Sequence, residues 1–144
     1  MTEIAFHFNA PDKVAYACRL LRKAVASKAR VVVTGSPDVL RRLDQELWTF
    51  SALDFVPHCT ANSPQAILSA SPVVLTATAA NAPHQQVLLN LGEEVPDGFE
   101  RFERVIEVVT LDDGDRHVAR ERWRHYAVRG YAIDRKDLEL KESA

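Results

Sequence analysis

Apolar positions along the chain alternate between two periods. Ile4 to Phe8 is a short run of aromatic and branched residues, the composition of a strand. Asn9-Ala10-Pro11-Asp12 then reads as a turn, with Asn9 or Asp12 placed to cap a helix. From Lys13 to Ser27 the apolar residues fall at Val14, Ala17, Cys18, Leu21 and Val25. Spacings of three and four make one helical face, and Arg19, Arg22 and Lys23 lie towards the other side. Arg30 to Thr34 is continuously apolar at its centre, as suits a strand buried on both faces of a parallel sheet. In the next turn Ser36 can cap, Pro37 fits the first helical position, and Asp38 favours the positive helix end. Val39, Leu40, Leu43, Leu47 and Trp48 carry the helix that follows. Two strand–helix units in succession are the signature of a βαβ layer, and so of an α/β protein.

The second half is less regular. Asp54-Phe55-Val56-Pro57-His58 is too short and too limited by proline for a central strand. Residues 59–72 read as loop with one helical turn near Gln65 to Leu68, and Thr78 to His84 reads as a further loop. Pro72 to Ala77, Gln86 to Leu91 and Val105 to Val109 complete a sheet of about five strands. Gly92 to Gly98 is a turn region, and Phe99 to Phe102 is one helical turn. Asp112 to Asp115 supplies the cap for a long helix from about Asp115 to Val128, which Gly130 ends. The charged stretch 134–144 reads as a short terminal helix or a flexible tail. No repeat or linker divides residues 1–144, so one domain is expected.

Composition narrows the function classes. A hydrophobic fraction of 47% with 26% charged residues fits an ordinary folded domain. A net charge of -2 argues against a protein that coats nucleic acid, because such binding needs many Lys and Arg to neutralise phosphates. Cys18 and Cys59 form no CxxC pair, so neither zinc nor redox chemistry is indicated. No export signal or membrane-length apolar run is present, and a soluble cytoplasmic protein is expected.

The chemistry-bearing motifs are few. The turn after the second strand, Thr34-Gly35-Ser36-Pro37, has a single glycine, and Pro37 removes a backbone donor from it, so no phosphate-cradling loop is expected. His7, His58, His84, His117 and His125 have no HExxH spacing. Neither Ser36 nor Ser51 sits in a GxSxG elbow. No catalytic, metal or cofactor site is therefore expected. The richest segment is Arg116 to Tyr131, with five arginines at 116, 120, 122, 124 and 129. On a helix Arg116, Arg120 and Arg124 are successive i, i+4 neighbours, and like charges at that spacing repel. Trp123 sits beside this stripe. The segment reads either as a solvated face, with Glu121 and the Asp112–Asp115 cluster as partners, or as a site for an acidic, aromatic-ended peptide or a phosphate. Trp48 and Phe55, aromatics at element ends, read on their own as core, with an exposed partner anchor as the other reading.

Three blocks taken together resemble the chi subunit of bacterial DNA polymerase III. They are Leu43 to Trp48 with Asp54 to His58, then Val87 to Leu91 through Phe99 to Val109, then Ala119 to Tyr126 with Gly130-Tyr131. Order, spacing and chain length all match, over nearly the whole chain. The resemblance implies a three-layer α/β/α sandwich with a mostly parallel mixed sheet, Rossmann-like but without a phosphate-binding loop. It implies a non-catalytic clamp-loader accessory subunit that binds the acidic C-terminal tail of the single-stranded-DNA-binding protein and the psi subunit, and meets DNA only indirectly. The tail-binding positions would fall on Arg120, Trp123 and Arg124, with Arg116 on the same stripe. The psi-binding pair would be Trp48 and Phe55, a surface that a repair helicase could share. Here Trp123 and Arg124 stand where some members have Tyr and Lys, and the loop from Thr110 to Asp115 is shorter than in some. The alternative is a nucleotide- or nucleic-acid-binding regulatory domain that uses the basic helix 116–129.

Overall fold

A computed structural model describes residues 1–49, 56–60, 62–80 and 82–138. In chain order the elements are β1 (Glu3–Ala10), α1 (Lys13–Ala26), β2 (Val31–Thr34), α2 (Pro37–Thr49), β3 (His58–Thr60), α3 (Gln65–Ala70), β4 (Val73–Thr76), β5 (Val87–Asn90), a 3-10 turn at Phe99–Arg101, β6 (Arg104–Thr110), α4 (Asp113–Val128) and β7 (Ile133–Asp137). The caps follow the sequence closely. Asp12 Oδ1 accepts the amides of Val14 and Ala15, Ser36 Oγ accepts that of Val39, and Pro37 opens α2. Asn9 does not cap; it takes a positive φ of 66° and donates to Asp137 instead.

The strands form one sheet in the order β3-β4-β2-β5-β6-β1-β7, and every pairing is parallel. The α/β class holds, while among the described residues the sheet has seven strands rather than about five and no antiparallel member. Both additional strands lie at the edges. His58–Thr60, read as the end of a connection and the start of a loop, pairs with β4. The start of the charged tail, expected as helix or flexible chain, is β7 and pairs with β1 from Ile4↔Ile133 to Phe8↔Asp137. Edge strands are short and half-solvated, so neither has the long apolar run by which a central strand is recognised. Residues 139–144 lie outside the described ones.

Side-chain alternation along the strands makes two cores. Val31, Val33, Val73, Leu75, Leu89, Ile106 and Val108 meet α1 and α2 through Val14, Ala17, Leu21, Leu43 and Leu47. On the opposite face Ile4, Phe6, Val32, Leu88 and Val105 meet α4 and the 3-10 turn through Ala119, Tyr126 and Phe99. The result is helix, sheet, helix. It places α2 towards the β3 side and α4 over β6, β1 and β7.

Candidate functional site

Helix α4 starts where its acids dictate. Asp112 caps it by accepting the Asp115 amide, one residue ahead of the first helical position Asp113. Asp115 does not pair with the arginines of its own helix. It accepts from the amide and hydroxyl of Thr110 and from Lys13 Nζ at 3.1 Å. Burial works to raise its carboxyl, but those donors outweigh it and hold Asp115 below the usual carboxylate range.

The face that α4 turns to the sheet carries Ala119, Arg122 and Tyr126. Arg122 is 2% exposed, so it leaves the basic surface entirely. Its Nε donates to Glu107 Oε1 at 2.9 Å, and its Nη1 donates to the Glu93 carbonyl. Glu107 is wholly buried in β6 and also accepts from Tyr126 Oη at 2.7 Å and from Asn90 Nδ2 at 2.9 Å. Burial pushes the Glu107 carboxyl up, against the pull of Arg122, Tyr126 and Asn90; burial and then Glu107 push the Tyr126 hydroxyl up. This network ties α4 to β5, β6 and the turn after β5.

Among the residues expected to bind, Trp123 is half-buried, 5.0 Å from the Phe6 ring, and packs on the second core. At about 100° per residue, Arg116 and Arg120 fall on the same flank as Trp123, within about 60° of arc, while Arg124 lies about 100° away. Arg120 and Arg124 are exposed and Arg116 half-buried. Among the described residues neither Arg116 nor Arg120 is paired with a carboxylate, whereas Arg124 lies 3.6 Å from Glu121. This flank faces the β7 edge, because the Arg135 guanidinium stands 5.8 Å from the centre of the Trp123 ring.

The other aromatic surface sits at the opposite edge. Trp48 closes α2 and is 62% exposed, so the core reading suggested by its position alone is overturned. Its indole meets the His58 ring edge-on at 5.6 Å. His58, in β3, is bonded through Nε2 to Asp44 of α2 at 2.8 Å and through Nδ1 to the Val56 carbonyl. Helix α2 is thereby fastened to the edge strand just below Trp48. Phe55 lies outside the described residues.

The family model for the DNA polymerase III chi subunit, HolC, matches residues 1–134. The chain belongs to the DNA polymerase III chi family. It is 31% identical over 138 residues to DNA polymerase III subunit chi of Pseudomonas aeruginosa, covering 92% of this chain and 94% of that protein. It is 26% identical over 124 residues to subunit chi of Haemophilus influenzae, with 85% of each covered. Against subunit chi of Escherichia coli K12 it is 29% identical over 94 residues, 65% of this chain and 63% of that one.

In this chi-family chain an acid-lined crevice lies at one end of the sheet. This crevice of about 600 Å³ opens beyond the carboxyl ends of β2, β4 and β5, the usual ligand position in such sheets. Its lining includes Glu93, Glu94, Asp97 and Asp115, and among the described residues its one cation, Lys13, is taken by Asp115. That wall repels phosphate. With Arg122 withdrawn into the core, the rival nucleotide reading also loses one of its five arginines. No helix among the described residues is long and apolar enough to cross a membrane. Cys18 and Cys59 are both buried and free, and burial pushes the Cys18 thiol up to about 11.

Proposed function

We propose that this chain is a non-catalytic connector within the DNA polymerase III assembly. It holds the acidic C-terminal tail of the single-stranded-DNA-binding protein on the α4 flank and the psi subunit on the Trp48 surface. The observation that carries this reading is the placement of two aromatic surfaces at opposite edges of one sheet. Trp48 stands over β3 and Trp123 beside β7, the first and last strands in the sheet order. Six inter-strand spacings separate those edges by roughly 29 Å. Separate surfaces of this kind suit a connector that meets two partners.

Docking at the α4 flank is electrostatic first and apolar second. Arg116 and Arg120 attract an acidic chain and speed its association, and salt weakens that attraction. A C-terminal carboxylate suits the planar fork of a guanidinium, and an aromatic end residue suits the Trp123 ring. Such a tail is disordered when free, and the cost of ordering it keeps affinity in the micromolar range.

Calorimetric titration with the tail peptide tests this reading. Arg120→Ala is expected to weaken binding by about tenfold or more, since it removes charge-assisted hydrogen bonds. Unchanged affinity in that variant would remove the α4 flank as the tail site.

A further inference from the structure

We propose that Arg135, on edge strand β7, forms the second wall of the acidic-peptide site and binds a carboxylate of the same peptide from the strand side. The inference rests on the proposed tail site and adds a contact to it. In the sequence Arg135 belongs to a charged stretch with no distinguishing mark. Pairing of β7 with β1 sets Arg135 directly opposite Phe6, the residue on which Trp123 packs. Ile133, two residues earlier on the same strand face, joins the core beneath α4, so Arg135 emerges on the α4 side of the sheet. Its guanidinium carbon lies 5.1 Å from the Phe8 ring centre and 5.8 Å from that of Trp123. The side chain thus rests against Phe8 and Trp123, on the flank of α4 that also carries Arg116 and Arg120.

A guanidinium that rests on aromatic rings keeps its in-plane N–H groups for other partners. Arg135 is exposed, and among the described residues no carboxylate pairs with it. A planar donor fork, held in place by two rings and left without an anion, is a preorganised carboxylate receptor. An acidic chain lying along this flank meets cations from both the helix and the strand. Its apolar end can then cover the indole that Arg135 touches.

The test is calorimetry on the full chain with two short peptides that end in Phe, one rich in Asp and the other with each Asp replaced by Asn. Arg135→Gln, which keeps much of the stem that covers the rings, is expected to bind the acidic peptide about tenfold more weakly and with a flatter salt dependence. The Asn peptide should bind the original chain and this variant equally. Arg135→Lys should recover part of the loss, because charge returns without the fork. Full acidic-peptide affinity in Arg135→Gln, alongside loss in Arg120→Ala, would overturn the Arg135 contact and leave the tail site standing. Equal loss for both peptides would also overturn it, since the two share only the chain-end carboxylate and the apolar contacts, and the acidic side chains would then not meet Arg135. If the original chain binds neither peptide, the tail site falls and this inference falls with it.

Discussion

Glu107 and Arg122 are the residues on which α4 depends most. Both are buried, and each is the other's only opposite charge within ion-pair distance among the described residues. Removing one partner strands the other in the core. We expect Arg122→Met alone, or Glu107→Leu alone, to cost about 3–5 kcal/mol in urea unfolding. The double variant should cost clearly less than the sum of the two, since apolar replacement of a whole buried pair is often near neutral. Strict additivity would contradict the pairing. The sequence carried a usable sign of this network: a lone Glu in the run Val105-Ile106-Glu107-Val108-Val109 has nowhere to go but a buried partner. The partner was harder to find. Arg122 looks like every other arginine in α4 until the helix is set on the sheet.

Asp115 makes a second prediction at this scale. Its folded carboxyl lies below its ordinary value, so its contribution is fully present above that value and is lost as pH falls through the lower, folded one. Asp115→Asn should therefore cost about 1–3 kcal/mol near neutral pH. The gap to the original chain should close only as pH drops below the ordinary carboxylate range. A gap that persists unchanged into strong acid would show that the charge of Asp115 contributes nothing.

Among the elements, the helices and central strands were legible because their signals are local. The i, i+3, i+4 face of α1, the Ser36-Pro37-Asp38 start of α2 and the apolar run of β2 each need only a few neighbouring residues. Strands β3 and β7 were not legible. His-Cys-Thr and Ile-Asp-Arg-Lys-Asp become strands through pairing with β4 and β1, which no local pattern records. The basic stripe of α4 was legible, because Arg116, Arg120 and Arg124 follow one another in steps of about 40° with Trp123 on the Arg116 side. The structure adds that Arg124, at the end of the row away from Trp123, lies 3.6 Å from Glu121. Arg124→Ala should consequently weaken tail binding less than Arg120→Ala does. Surface plasmon resonance at low salt can rank the two, and the reverse order would mean that the peptide crosses the solvent side of α4.

At the scale of the whole molecule, the parallel sheet sets the Trp48 and Trp123 surfaces at its two opposite edges. Trp48 is mostly exposed and contributes little to the core, so Trp48→Ala should change stability by less than about 1 kcal/mol. The same variant should lose the psi subunit. The resemblance of three sequence blocks reached the family, because those blocks are spread over the chain and each keeps its order. It could not show that the two aromatic surfaces stand at opposite edges, since that follows from where β3 and β7 pair.

The most direct measurement immobilises the single-stranded-DNA-binding protein, adds this chain and psi, and reads what is retained. The connector account predicts that psi is held only when the chain is present. Arg120→Ala should release both chain and psi from the surface while psi still binds the variant in solution. Trp48→Ala should leave the chain bound and psi lost. Retention of psi without the chain, or loss of both partners from either single variant while the fold stays intact, would contradict two independent docking edges.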